Sequence, residues 1–121
     1  MVTKNVANSA LEGSMDALWM KMQVHLDNLA NYETPDYKAK TVSFGEVLDA
    51  ATQEGERKSS AHLRLTMGED NTTMSRVDGN NVDMEKEQLE LWKTQAQYAA
   101  VAQKISGSYN NLRTILNQVG R

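Results

Sequence analysis

The stretch LDNLANYETPDYK, residues 26–38, decides how this chain of 121 residues is organised. It closes a long amphipathic pattern, because Thr34 precedes Pro35 and its backbone is therefore pushed out of the helical region. Pro35 and Asp36 then suit a type I turn. A second long helical pattern follows residues 78–83, DGNNVD. The sequence therefore predicts two long terminal helices separated by a polar middle segment.

The first helix is predicted over residues 10–31, a length of roughly 30 Å. Ser9 and Glu12 have the spacing of a capping box at its start. Apolar side chains recur at steps of four and three, which places one stripe along the helix. The stripe consists of Leu11, Met15, Leu18, Met22, His25 and Leu29. Such a stripe has to be covered by another helix.

The second helix is predicted from residue 83 to about 119, a length of roughly 55 Å. Asp83 is the expected N-cap, and Gly107 is the least favourable residue of the helix interior. Its stripe consists of Tyr98, Val101, Ile105, Tyr109, Leu112, Leu116 and Val119. Because the first helix is much shorter, part of this stripe stays uncovered in a single chain. An uncovered stripe indicates a surface for a partner.

The middle segment is predicted as a short helix near 44–53, a polar linker over 54–62 and a β-hairpin. Ser43 and Glu46 repeat the capping-box spacing, and the alternation over 63–67 is typical of a half-buried strand. A turn at 68–71 would return the chain as a partner strand over 72–77.

The predicted fold class is mainly α, with the terminal helices forming a coiled-coil hairpin around a short irregular or β-hairpin middle. We divide the chain into residues 1–39, the first helix and turn; residues 40–78, the middle; and residues 79–121, the second helix. The first and second helices together form a single domain.

Composition argues against several classes of function. The net charge of −3 gives no electrostatic case for nucleic acid. No apolar run approaches the roughly 20 residues of a membrane span, and residues 1–10 lack the layout of a cleaved signal peptide. Cysteine is absent, and the two histidines have no third ligand at metal spacing. We expect no catalytic residue, no cofactor and no metal, and hence no enzyme; His25 is expected to be a packed or interface residue.

The turn motif resembles that of a known family. Asn28-Leu29-Ala30-Asn31, followed by Thr34-Pro35 and Tyr37-Lys38, is similar to the N-terminal signature of the flagellar rod and hook proteins. The stretch Gly79 to Asp83 favours one short member of that family over its sister rod proteins. Two positions depart from the signature: Asp27 replaces a frequent asparagine, and Asp36 replaces a glycine that would allow positive φ.

The resemblance implies a structural subunit of the bacterial flagellar basal body, located in the periplasmic rod. Such subunits are exported by the flagellar type III apparatus and assemble with copies of themselves and with other rod proteins. Their terminal helices are largely disordered in the free monomer. The implied seam contains Leu11, Met15, Leu18, Met22, Leu29, Tyr98, Val101, Ile105, Leu112 and Leu116.

The resemblance also implies that the signature turn holds the exit of the first helix against a neighbouring subunit. The residues concerned are Asn28, Asn31, Thr34, Pro35 and Tyr37. A simpler interpretation is that they only terminate the helix locally. The alternative functions are a cytosolic helical-hairpin adaptor or export chaperone, and a sister rod protein.

Overall fold

The structure, a computed structural model, describes residues 6–48 and 61–120. Two helices and two strands follow one another in the order α1 (Val6–Ala30), β1 (Lys40–Leu48), β2 (Ala61–Glu69) and α2 (Met84–Val119). The mainly α architecture with a β-hairpin in the middle is confirmed. Residues 49–53 of the predicted short helix and 54–60 of the predicted linker lie outside the described residues.

The two helices form an antiparallel hairpin. Near the start of α1, Ser108 Oγ donates to Asn8 Oδ1 over 2.8 Å. Near its end, His25 Nδ1 lies 2.6 Å from Glu87 Oε2. Because α1 has 25 residues and α2 has 36, α2 extends beyond the described start of α1. The unequal lengths expected from the sequence are confirmed.

Helix boundaries were predicted well, except at the first N-terminus. Asp83 caps α2 by accepting a hydrogen bond from Lys86 N, as expected. The described part of α1 begins at Val6, so Ser9 lies inside the helix and the predicted capping box is wrong. The spacing of Ser9 and Glu12 is equally compatible with two exposed positions of a helix interior.

The strands form a two-stranded antiparallel sheet with Lys40 opposite Glu69 and Leu48 opposite Ala61. The prediction of a helix starting at residue 44 is therefore wrong for residues 44–48. In β1 the alternation of Thr41, Val42, Ser43 and Phe44 has the period of a strand, and it outweighs the capping-box spacing. Both strands pack on α1.

The strand predicted over 63–67 is confirmed within β2, but its predicted partner over 72–77 is wrong. The true partner is β1, which pairs Phe44 with Leu65 and Val42 with Met67 on one face. The predicted turn at 68–71 starts too early, because β2 continues to Glu69. Residues 70–83 instead form a loop that returns to the end of α1, where it meets the signature turn.

Candidate assembly interface

The signature turn first completes the end of α1. The Asn31 side-chain amide donates to Asp27 O over 2.8 Å, and Thr34 Oγ1 donates to Asn31 Oδ1 over 3.1 Å. Asp27 O also accepts from the Asn31 backbone N–H over 3.1 Å, so the Asn31 side chain adds a second bond to a carbonyl at the helix end. Pro35 and Thr34 are exposed, whereas Asn31 is half-buried. This part of the signature therefore does terminate the helix locally.

The turn itself differs from the predicted type I turn. Asp36 has a φ of 59°, and Tyr37 N donates to Thr34 O over 3.4 Å. Positive φ at the third position belongs to a type II turn and is incompatible with type I. Asp36 thus adopts the conformation that glycine favours. Its Cα lies so close to Gly79, itself at φ 83°, that a Cβ on Gly79 would stand 3.3 Å away.

Asn28 is the best-buried polar residue of α1 and makes four hydrogen bonds. It has no exposed surface. Its amide nitrogen donates to Lys40 O over 2.8 Å and to Glu87 Oε2 over 3.1 Å. Its oxygen accepts from Lys40 N over 2.8 Å and from Tyr37 Oη over 3.1 Å. One side chain therefore joins α1, the turn, β1 and α2.

Glu87 is a buried carboxylate of α2, only 6 % exposed. Its Oε2 accepts from Asn28 and lies against His25 Nδ1. Burial of a charged or polar group is costly unless it is hydrogen-bonded, and these contacts to α1 meet that need. Burial also raises the pKa of the Tyr37 phenol, which keeps this hydroxyl protonated as a donor to Asn28.

Two further buried asparagines, Asn80 and Asn81, connect the loop before α2 to the signature turn. Asn80 Nδ2 donates to Asn31 O over 2.9 Å and to Thr34 O over 2.8 Å. Ala39 N donates to Asn81 Oδ1 over 2.6 Å. The chain entering α2 is therefore held by the chain leaving α1.

The rest of the loop is held by charge and hydrogen bonds. Lys38 Nζ donates to Gly79 O over 2.7 Å, and the Arg76 guanidinium lies 4.6 Å from the centroid of the Tyr32 ring. The hydroxyls of Thr73 and Thr72 donate to the Asp70 carboxylate and hold its pKa well below the usual range. In α2, the hydrogen bond from Lys93 lowers the pKa of Glu90.

Most of the predicted seam is brought together along the hairpin. Met22 is buried, and the other residues of the α1 stripe are half-buried, as are Tyr98, Val101 and Ile105. The rings of Trp19 and Tyr98 lie 6.5 Å apart. Trp19 itself is more than half exposed, so the seam is shallow.

The described residues leave the far end of α2 without cover. Residues 109–120 are all exposed. We call residues 111–119, which follow the last contacts with α1, the uncovered segment. Four large apolar side chains lie on it: Leu112, Ile115, Leu116 and Val119, the last 79 % exposed. The structure thus separates Leu112 and Leu116 from the remainder of the predicted seam, which packs within the chain.

Sequence reasoning missed Glu87, and it placed His25 on the stripe without naming its partner. A signal for Glu87 was present, because it lies four residues before Leu91 and continues the stripe at helical spacing. The sequence analysis assigned no contact with the signature turn to Asn80 or Asn81. Within residues 6–48 and 61–120, no group of three acidic, histidine or cysteine side chains could hold a metal. No described helix is long and apolar enough to cross a membrane.

These features define a class of protein: a structural helical-hairpin subunit whose longer helix keeps part of its apolar stripe open. Comparison with known proteins agrees. No family model matches the chain. It is similar to the flagellar basal body rod protein FlgB of Bacillus subtilis (strain 168), with 33% identity over 115 residues that cover 88% of this chain and 89% of the relative. It is also similar to the flagellar basal body rod protein FlgB of Escherichia coli (strain K12), with 25% identity over 130 residues that cover 90% of this chain and 94% of the relative.

The chain belongs to the FlgB family of flagellar basal body rod proteins. It is a structural subunit of the rod of the bacterial flagellar basal body, and other rod proteins are its partners. This result decides against the cytosolic adaptor or export chaperone, and against a sister rod protein.

Proposed function

We propose that this subunit is incorporated into the proximal rod by self-assembly through its terminal helices. The observation that carries the proposal is the uncovered segment, whose apolar stripe continues the stripe that packs on α1. An assembly that grows along an axis needs contacts between different surfaces of successive subunits. The stripe of the uncovered segment supplies one such surface, and it would pack against a helix of the neighbour.

The signature turn has a divided role in this proposal. The side chain of Asn28 is fully buried and bonded within its own chain, so it positions the hairpin rather than meeting a neighbour. Thr34 and Pro35 are exposed and are the signature residues left for contact with another subunit. The turn would then present a fixed surface because Asn28, Asn80 and Asn81 hold it from within.

We also propose that the chain reaches the periplasm through the flagellar type III export apparatus, without a cleaved signal peptide. Its role there is structural rather than enzymatic, and it needs no cofactor. This part of the proposal rests on membership of the family. The shallow seam supports folding on assembly, because α2 gains much of its apolar burial only from a neighbouring subunit.

The test compares two substitutions at the end of α2 that add the same charge to opposite faces. Leu116→Asp places a carboxylate on the apolar stripe, where packing against a neighbour would bury it at high cost. Thr114→Asp is the matched control, since Thr114 lies about half a turn away and is equally exposed. Each variant replaces the chromosomal copy in the source cell.

We expect Leu116→Asp to abolish swimming and to remove the subunit from gradient-purified hook–basal bodies analysed by mass spectrometry. Thr114→Asp should swim and be incorporated normally. Normal swimming and incorporation of Leu116→Asp would contradict the proposed surface. Finding the unsubstituted chain only in the cytosol of flagellated cells would contradict its place in the rod.

A further inference from the structure

Apolar packing does not by itself fix how far α1 lies along α2. The α2 stripe repeats over more turns than α1 covers, so α1 could slide one heptad, about 10 Å, toward the end of α2. Ile105 would then stand where Tyr98 stands, and Leu112 where Ile105 stands. That register would bury the apolar stripe of the uncovered segment and remove the surface proposed for assembly. Something other than the apolar stripe has to exclude it.

We propose that three side chains, His25, Asn28 and Glu87, determine the register of the terminal helices; we call them the register cluster. Glu87 is the single buried acid described in α2, and its Oε2 meets His25 at 2.6 Å and Asn28 at 3.1 Å. A buried polar contact between apolar helices is a known means of specifying register. The inference about register stands on the contacts alone. It rests on the proposed function only where it gives the uncovered segment a role in assembly.

The slid register would separate the cluster. Residue 32 of the turn, which is not helical, would come opposite Glu87, and the carboxylate would lose both partners. His25 and Asn28 would instead face Thr94, which is fully buried. The Thr94 hydroxyl already donates to Glu90 O over 2.7 Å. The interhelix contacts of Glu87 with His25 and Asn28 therefore form in only one of the two registers that the apolar stripe allows.

The neighbouring interhelix ion pair is a weaker constraint. Lys21 Nζ lies 3.7 Å from Glu90 Oε2, and both side chains are partly exposed. Long, solvated side chains re-form such contacts after a displacement and contribute little. The rival sources of register are the bonds that Asn80 and Asn81 make with the chain leaving α1, and the bonds that Ser108 and Tyr109 donate to Asn8 and Glu12.

The decisive variant moves the carboxylate by one heptad without changing composition: Glu87→Thr combined with Thr94→Glu. A second variant, His25→Leu with Glu87→Met, removes the interhelix contacts but leaves the bonds between Asn28 and Lys40 in place. The matched control, Lys21→Leu with Glu90→Met, removes the exposed pair.

Register is measured as the distance between two spin labels, attached at Gln23→Cys and Asn111→Cys, by pulsed electron–electron double resonance. Both positions are exposed, and the chain has no cysteine of its own. The full chain is diluted with unlabelled protein in trimethylamine oxide, which favours the folded state. Sliding by one heptad shortens the distance between the labels by about 10 Å.

We expect one main distance in the unsubstituted protein and in the control. The heptad swap should replace it with the shorter distance, and His25→Leu/Glu87→Met should show both. Retention of the original distance by both variants would overturn the proposal and assign register to the other polar contacts between the two ends of the chain. Two distances in the unsubstituted protein, or no defined distance, would overturn it as well.

The two proposals fail separately. Retention of the original distance by both variants refutes the register cluster and leaves the rod assignment intact. A chain with one register that is absent from hook–basal bodies refutes the proposed function and leaves the register cluster intact.

Discussion

Removal of the Asn28 side chain should be among the most damaging single changes to the hairpin. Asn28→Ala deletes four hydrogen bonds at a fully buried position. The backbone N–H and C=O of Lys40 both lose their side-chain partner. Glu87 keeps only His25, and the Tyr37 hydroxyl loses its acceptor.

The magnitude follows from the number of bonds and from the groups left without partners. A neutral hydrogen bond contributes about 1 kcal/mol net, and each buried group left unsatisfied costs about 1–3 kcal/mol. Water can reach some of these groups, because Lys40 and Tyr37 are only half-buried. We therefore expect Asn28→Ala to lower the free energy of unfolding by roughly 3–4 kcal/mol.

Asn31→Ala is the matched control, since it is the same substitution three residues further along the signature. Asn31 uses its side chain in two hydrogen bonds and is only half-buried, so its loss should cost about 1 kcal/mol. Circular dichroism at 222 nm is followed in a titration from urea to trimethylamine oxide, which brings the transition into range. Equal effects of the two substitutions would refute the reasoning, because it assigns the difference to burial and bond number.

Three further predictions follow from the same contacts. Gly79→Ala should destabilise the fold by roughly 1–3 kcal/mol, since it places a side chain at positive φ and in close approach to Asp36. Gly107→Ala should instead stabilise the helix by about 1 kcal/mol, because alanine is favoured over glycine in a helix interior. The titration described above measures both effects. The pKa of Asp70 in the folded chain lies below its ordinary value of 3.8. The hydrogen bonds that its carboxylate accepts therefore stabilise the fold fully above pH 3.8, and this stabilisation is lost as the pH falls toward the folded pKa. The stability difference between the unsubstituted chain and Asp70→Asn should therefore shrink in acid, unlike that for Glu69→Gln, and a constant difference would contradict the assignment. In buffer without trimethylamine oxide, the free chain at micromolar concentration should show low helicity that rises on assembly, and a cooperative, fully helical monomer in that buffer would contradict folding on assembly.

The helices could be predicted from sequence because their determinants are local. Steps of three and four place Leu11 through Leu29 on one stripe, and Asp83 caps the second helix, without reference to any other part of the chain. The unequal lengths then required an uncovered stripe. The exposure of Leu116 and Val119 follows from that argument alone.

The sheet could not be predicted in the same way, because strand pairing is a long-range property. Residues 63–67 were correctly read as a strand, yet their partner lies across an intervening segment, in β1, rather than in the adjacent residues 72–77. Short apolar runs such as Thr41 to Phe44 suit a strand or a helix equally well until a partner is known. The capping-box spacing of Ser43 and Glu46 led to the wrong prediction of a helix, because this spacing is common outside helix starts.

The turn and the buried cluster were only half predictable. Pro35 ended the helix as expected, but the type of turn depends on the φ of Asp36, which the dipeptide alone does not specify. Glu87 looked like one more acid near a helix N-terminus, where the helix dipole favours negative charge. Its burial results from His25 and Asn28, residues roughly sixty positions earlier in the chain.

The distribution of contacts explains how one short chain can be both well defined and dependent on its neighbours. At one end of the hairpin, Asn28, Asn80 and Asn81 satisfy nearly every polar group that the turn buries, so the geometry there is fixed by directional bonds. Toward the other end the seam is shallow, and over the uncovered segment the described chain gives the stripe of α2 no cover. Hydrogen bonds fix geometry with modest net stabilisation, whereas apolar burial supplies the driving force for association. In the proposed assembly, a subunit whose geometry is set at one end and whose apolar surface is open at the other would gain most of its stability where the next subunit adds to the rod.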